Sequence, residues 1–461
     1  MNINSEVVKE ESKTFKQRIV RASFWSSGSH LLNQAIRLGS NLIMTRLLMP
    51  EYFGLMAIAN VFIFGLIMMS DMGLRQSLIQ SKRFDQSFIN TVWTLQVLRG
   101  CVIWIFSLLA ALLLYRLSLI DFWPKESVYQ DPLLPYIVAS IGISALIGGF
   151  ESTKLAISSR ELSLVKNVAI GLISQIFGII VMISWALLDK SVWPMVAAAI
   201  VSSLVTTILS HIMFGGIRNQ FHWDKAAFEQ IFNFGKWIFV SSILGFLLQS
   251  SDRLLLGAMV DARLLGLYAI AFFIVGALKD LICNVIHNVG FPALSEAYRV
   301  KPDSLKEVYY KLRLPFDLVS ILGAGFLFAT GEIIVRLLYD DRYVTAGWII
   351  QILSVGLFQL RYNLAGECFM AMGKPKILTI LILLDIVLLY MLAYLGFNLY
   401  GFKGFVWAVV ITSNATIPFV IWCKYKYKLL DWKRELLVLP LLPLGYGFGW
   451  LAKQSINLIL S

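Results

Sequence analysis

The feature that most constrains this chain is a succession of apolar runs long enough to cross a bilayer. About 20 apolar residues are needed for one crossing. Runs of that length can be read at 22–46, 54–74, 88–115, 133–153, 165–188, 192–214, 234–258, 264–290, 312–331, 344–370, 376–396 and 402–423. A thirteenth, weaker run covers 436–458, broken by Pro440, Pro443 and several glycines and carrying Lys453. Backbone polar groups in hydrocarbon must be satisfied within their own segment, so these runs predict an all-α polytopic membrane protein. The 58% hydrophobic and 15% charged composition agrees, since soluble domains hold about 45–50% and 25%. Soluble globule, disordered chain and disulfide scaffold are excluded.

Charge then sets orientation. The connections alternate between short ones poor in Lys and Arg, such as Asp189-Lys190-Ser191, and basic ones, such as Arg75/Lys82/Arg83 and Lys424 to Arg434. Roughly 26 Lys and Arg fall on one side and roughly 9 on the other, which by the positive-inside rule places the N-terminus and the basic loops in the cytoplasm. Cys101, Cys283, Cys368 and Cys423 show no pairing, and the four histidines are scattered, so neither disulfides nor a metal site is expected. Segment 215–233 is expected to form a surface helix capped by Asp224, and 291–311 another capped by Asp303.

The two halves of the chain resemble each other at an offset of about 212 residues. Trp25 aligns with Trp237, and Gly54-Leu-Met-Ala-Ile-Ala aligns without a gap with Gly266-Leu-Tyr-Ala-Ile-Ala. Six spans separate the copies, so both enter the membrane from the same side, as in a parallel transporter repeat. The expected organisation is a cytoplasmic N-terminal segment 1–21, a six-helix lobe 22–214, a linker helix 215–233 and a second six-helix lobe 234–423. A basic loop with the weak thirteenth span completes it at 424–461.

Ionisable groups at membrane depth are costly and are functional candidates by default. On the first span His30, Asn33, Gln34, Arg37 and Asn41 draw one polar stripe at helical spacing. The offset carries that face onto Gln249 and Arg253. Lys279, Asp280, Asn284 and His287 cluster on the eighth span, and Gln351, Arg361 and Tyr362 on the tenth. Polar stripes on several helices must face each other or water, so a hydrated central cavity between two bundles is expected. Its cations, Arg37, Arg99, Arg253, Lys279 and Arg361, suit a phosphate-bearing ligand. Asp71, in a helix-ending turn with Gly73, is expected to pack or cap there, with proton coupling the alternative role.

These strings resemble the polysaccharide transport (Wzx-type oligosaccharide flippase) branch of the multidrug/oligosaccharidyl-lipid/polysaccharide flippase superfamily. The resemblance rests on Ser23-Phe24-Trp25, Arg46-Leu-Leu-Met-Pro-Glu-Tyr-Phe-Gly-Leu, Ser70-Asp71-Met72-Gly73, Ser251-Asp252-Arg253, Phe291-Pro292-Ala-Leu-Ser295 and Ala371-Met-Gly373-Lys374-Pro375 in that order. It implies a non-enzymatic flippase that moves undecaprenyl-pyrophosphate-linked oligosaccharide across the bacterial inner membrane by alternating access, for O-antigen, capsule or exopolysaccharide synthesis. Its implied partners are the lipid-linked oligosaccharide, membrane lipids, a polysaccharide polymerase and a chain-length regulator, with no nucleic acid. No cofactor is expected, and coupling to H⁺ or Na⁺ stays open. Members often carry fourteen spans, whereas thirteen are read here. A cation-coupled multidrug or metabolite antiporter would want an acidic pocket, for which Asp317, Glu367 and Asp385 are candidates. A membrane glycosyltransferase or polymerase would want a large outer loop, and the loops here are short.

Overall fold

The apolar runs fold as helices because no other open-chain structure satisfies its backbone without water. A computed structural model describes residues 28, 31–81, 83–161, 165–215 and 218–460, excepting the side chains of 234, 237, 240, 459 and 460. His30, the segment 1–21 and Trp25 lie outside the described residues. Helix α1 covers 31–47. It is followed by α2 (Pro50–Met69), α3 (Leu74–Gln80), α4 (Gln86–Leu119), α5 (Leu134–Gly149), α6 (Lys154–Arg160), α7 (Val165–Ala186), α8 (Trp193–Ile212) and α9 (Lys225–Met259). Beyond them come α10 (Ala262–Val285), α11 (Phe291–Val300), α12 (Leu305–Leu338), α13 (Ala346–Val355), α14 (Asn363–Ala371), α15 (Pro375–Ala415), α16 (Ile417–Lys426), α17 (Trp432–Leu437) and α18 (Leu441–Leu460).

Eight helical stretches among the described residues are long and apolar enough to cross a membrane, or nine if the bent pair α5–α6 counts as one. Part of the shortfall against the sequence reading has local causes. The tenth run is broken by a 3-10 stretch, Gly356–Tyr362, between α13 and α14. The eleventh and twelfth runs form one element, α15, folded at Tyr400 and at Gly401, whose φ of 60° only glycine adopts readily. The first run begins outside the described residues. The expected linker helix is not separate either, because α9 runs unbroken from Lys225 through the seventh run. Asp303 sits in a 3-10 turn, and α12 starts two residues later without a side-chain cap.

Contacts divide the chain into two units. The first holds the residues up to Leu48, Ile58–Lys125 and Tyr129–Phe246. The second holds Met49–Ala57, Glu126–Val128 and the chain from Leu247 onward.

In the first unit, α4 and α5 meet at glycine. A Cβ on Gly100 would lie 2.9 Å from the Ala145 carbonyl oxygen, and Gly149 approaches Gly100 as closely. Lipid gives helices no hydrophobic drive toward each other, so close van der Waals approach through small residues does that work. At the end bearing the 215–224 connection, Leu74, Leu78, Phe88, Ile89, Val92, Ala156, Ile157, Ala227 and Ile231 make an apolar core. Asp224 caps α9 as expected, accepting from the Ala226 and Ala227 amides at 2.8 and 3.3 Å. Arg83 pairs with Asp85 and Asp224. The Arg83 guanidinium and the two cap amides hold the Asp224 carboxyl down at about 2. Asp71 accepts from the Gly73 amide at 3.0 Å, closing the turn before α3.

In the second unit, the two copies of the repeated motif touch. A Cβ on Gly54 would lie 2.0 Å from the Ala262 carbonyl oxygen, and one on Gly266 1.8 Å from that of Pro50. Positions 50 and 54 correspond to 262 and 266 under the repeat offset, so the contact is reciprocal, the signature of a two-fold relation. Along α12, a Cβ on Gly325 would meet the Leu442 oxygen and one on Gly445 the Leu322 oxygen, each at 2.4 Å. The glycines that weaken the thirteenth run as a span are therefore what seats α18 on α12.

Two predictions follow from this packing. Gly54→Val or Gly266→Val forces backbone apart and should cost more than the ~1–3 kcal/mol of ordinary overpacking. In a thermal-unfolding assay of the detergent-purified protein both should melt well below wild type, whereas Gly171→Ala, whose Cβ meets nothing within 4 Å, should not. Asp224→Asn should speed hydrogen exchange at Ala226 and Ala227. Because the Asp224 carboxyl is held low, its support is complete above the ordinary carboxylate range near roughly pH 4. In wild type the same amides should lose protection only as pH falls from there toward 2.

Candidate functional site

The sequence-derived site residues fall into three structural settings. The first is the polar face of α1, where Arg37 is exposed and Asn33, Gln34 and Asn41 are half-buried. The Asn33 carbonyl accepts from Gln175 Nε2 of α7 at 3.3 Å, which ties this face to the rest of the first unit.

The same unit contains a cavity of about 460 Å³ between α4, α5 and α8. Arg99, Gln96 and Glu151 line it together with the hydroxyls of Ser144, Ser203 and Thr207. Its small walls, Gly100, Ala145, Gly148 and Ala199, leave the volume that larger side chains would fill. Arg99 is partly committed here. It donates to the Ile67 carbonyl at 2.7 Å and to Ser70 Oγ at 3.1 Å, satisfying the end of α2. Gln96 likewise donates to the Gly149 and Glu151 carbonyls at the end of α5, at 3.1 and 2.9 Å. The cavity wall is thus mostly apolar, with a guanidinium, a carboxylate and several hydroxyl oxygens set into it.

The second setting is on α9 and α10 of the second unit. Arg253 lies with its guanidinium 4.6 Å from the Phe272 ring centroid and 4.0 Å from Asp252. Asp252 is itself buried and accepts from the Tyr268 hydroxyl at 2.7 Å. Arg253 thus has a fixed aromatic platform and a shared counter-charge, while its side chain stays 27% exposed. Lys279, Asp280 and Asn284 on α10 and His287 in the π-helical turn that follows it, Ile286–Gly290, are all exposed. Asn284 donates back to the Asp280 carbonyl at 2.8 Å, and His287 lies 3.2 Å from Glu367 of α14. Gln249 is exposed, and Gln351 is half-buried against Gly331.

Arg361 and Tyr362 occupy a different setting from the open wall expected of them. Arg361 is 1% exposed and belongs to a buried charge cluster with Arg313, Asp317, Lys424 and Glu435, each 5% exposed or less. Glu435 is the hub. It accepts from Arg313 Nη2 at 2.9 Å, Arg361 Nη2 at 3.1 Å and the Tyr310 hydroxyl at 2.8 Å, and it pairs with Lys424. Asp317 pairs with Arg313 at 3.0 Å and lies 3.6 Å from Arg361. Tyr309, Tyr310 and Tyr362 surround the surplus cation, with Lys424 Nζ 4.7, 4.9 and 5.9 Å from their ring centroids. Such contacts offset part of the desolvation of a buried cation. The cluster ties the 3-10 break in the tenth run to α12, α16 and α17.

Sequence reasoning missed Arg313, Lys424 and Glu435. The i,i+4 pair Arg313/Asp317 inside an apolar run was the available signal. Lys424 and Glu435 read as ordinary members of a basic loop, and nothing local distinguishes them.

The fold matches those of known transporters. It superposes on the lipid II flippase MurJ in an inward closed conformation with a TM-score of 0.68 at 13% identity, covering 95% of this chain and 93% of that one. An inward-facing multidrug resistance MATE family transporter of the MOP superfamily gives 0.65 at 14% identity, over 87% and 98%. In sequence the chain is 22% identical over 370 residues to the lipopolysaccharide biosynthesis protein WzxC of Escherichia coli (strain K12), spanning 79% of this chain and 72% of that protein. A family model described as polysaccharide biosynthesis protein matches residues 43–348. This polytopic membrane protein belongs to that polysaccharide biosynthesis family.

Proposed function

We propose that this chain is a flippase that moves an undecaprenyl-pyrophosphate-linked oligosaccharide from the cytoplasmic to the outer leaflet of a bacterial inner membrane, with its N-terminus in the cytoplasm. Membership of a polysaccharide biosynthesis family on a transporter fold supports the class. What supports the substrate chemistry is the occurrence of cations on the apolar runs read as spans. Arg37 is exposed on the polar face of α1, Lys279 is exposed on the long apolar helix α10, and Arg253 is partly exposed on an aromatic platform. Cations in lipid are expensive, and a pyrophosphate headgroup is a multivalent anion that guanidinium groups pair with well. Arg99 adds a fourth cation on a cavity whose wall also carries serine and threonine hydroxyls.

Transport then proceeds by alternating access. The polar faces open first to the cytoplasm and then to the far side, while the lipid tail stays in the bilayer. Asn33, Gln34, Asn41, Gln249, Asn284 and Gln351 supply neutral hydrogen-bonding groups along the path. Arg361 acts at one remove. It holds the 3-10 break of the tenth run against Glu435, so its contribution is to position the helix rather than to touch the headgroup.

This division is testable in cells whose surface polysaccharide depends on the protein. Arg37→Ala and Lys279→Gln should cut export at least tenfold while leaving membrane abundance and Tm unchanged. Wild-type export from both variants would overturn the cationic path. Glu435→Gln leaves three buried cations facing one carboxylate, a change that typically costs ~3–5 kcal/mol, and Arg361→Ala empties a buried site and removes its hydrogen bonds to the Glu435 carbonyl and carboxylate; both should instead lower Tm. An unchanged Tm in both would remove the structural role assigned to the cluster.

A further inference from the structure

The two limbs of α15 form a hairpin about the fold at Tyr400–Gly401, and they touch through Gly396 and Gly404. A Cβ on Gly404 would lie 2.0 Å from the Gly396 oxygen, and one on Gly396 2.5 Å from that of Gly404. Alongside this crossing lies a groove of about 610 Å³, lined by Leu392, Leu395 and Leu399 on one limb and Lys403, Trp407 and Ile411 on the other. The groove is open, apolar and contained within the second unit. It is separate from Arg253, Lys279 and the buried charge cluster.

The order of the lining residues is informative. Lys403, Trp407 and Ile411 recur every four residues, so they lie on one face about 6 Å apart along the axis. A cation stands beside the fold, an indole one turn in and a branched alkyl group one turn deeper. That sequence reproduces the profile of a membrane lipid from phosphate through the glycerol esters to the acyl chain. Indole rings favour the ester level of a bilayer, and lysine extends along apolar surface to put its ammonium at the headgroup. Lys403 is exposed and makes no ion pair or hydrogen bond among the described residues, which leaves its charge for a ligand.

We propose that this groove is a resident site for one anionic phospholipid of the surrounding bilayer, with its phosphate on Lys403, its ester region at Trp407 and an acyl chain along Leu392, Leu395 and Ile411. The single cation matches the single charge of a phosphodiester. The transported pyrophosphate-lipid carries more charge and meets several cations elsewhere in the chain. The site therefore anchors the α15 hairpin at the membrane surface, and this holds whatever the chain transports.

The test uses the full-length protein in vesicles of phosphatidylcholine containing a minor fraction of brominated lipid, read by quenching of tryptophan fluorescence. Trp407→Phe identifies the component that reports on the groove. Brominated phosphatidylglycerol should quench that component with about fivefold higher apparent affinity than brominated phosphatidylcholine, the equivalent of about 1 kcal/mol for one lysine near the surface. Lys403→Gln should abolish the preference, and Lys403→Arg should keep it. Equal quenching by the two lipids, or a preference that survives Lys403→Gln, would overturn the proposal. So would displacement of brominated phosphatidylglycerol by equimolar undecaprenyl phosphate, because the site would then belong to isoprenoid lipids. Lys403 is a surface side chain, and Trp407→Phe keeps an aromatic ring, so neither variant threatens folding.

Discussion

Two glycines, Gly54 and Gly266, hold the second unit to a geometry that nothing larger would allow. Each lies against the backbone one helical turn before the other, Gly54 on Ala262 and Gly266 on Pro50. In hydrocarbon there is no hydrophobic gain in bringing helices together, so contact has to come from close backbone approach and shape. The start of α2 is joined to the start of α10 in this way, and because the pairing is reciprocal, the repeated motif is its own partner. The glycine contacts of α12 with α18 and of α4 with α5 use the same means to settle other helices.

That scaffold sorts the cations into two kinds. Some are exposed, as Arg37 on α1 and Lys279 on α10 are. Others are buried and paired, as in the cluster around Glu435, where five charged groups and three tyrosine rings pack together out of contact with solvent. A buried cluster of this kind is a weak source of net stability, but losing either carboxylate leaves buried cations without a counter-charge. Its location at the 3-10 break is significant. A 3-10 stretch inside a long helical run marks a point where the helix can bend, and the cluster fixes one side of it.

Much of the fold was legible in the sequence. Apolar run length located the helices, the Gly-Leu-x-Ala-Ile-Ala repeat picked out the two glycines that meet, and Asp224 and Asp71 read correctly as local caps. What stayed hidden was set by tertiary contact. Gly445 and Gly449 lowered the apparent hydrophobicity of the last helix, although they are the residues that seat it. Arg361 lay on a polar stripe and read as a ligand group, because its partners Asp317 and Glu435 are distant in sequence and share no helix face with it. Helical periodicity reports which residues share a side of one helix. It does not report whether that side meets a ligand or a matching charge.

The central claim is that the membrane-depth cations serve an anionic, sugar-bearing lipid. The most direct measurement is leaflet translocation in proteoliposomes holding the purified full-length chain. It compares a defined undecaprenyl-pyrophosphate-linked oligosaccharide with an organic cation of the kind multidrug antiporters carry. The account predicts protein-dependent movement of the lipid-linked sugar, competitively inhibited by excess sugar-free undecaprenyl pyrophosphate, and none of the organic cation. Movement of the organic cation with no movement of the lipid-linked sugar would contradict it.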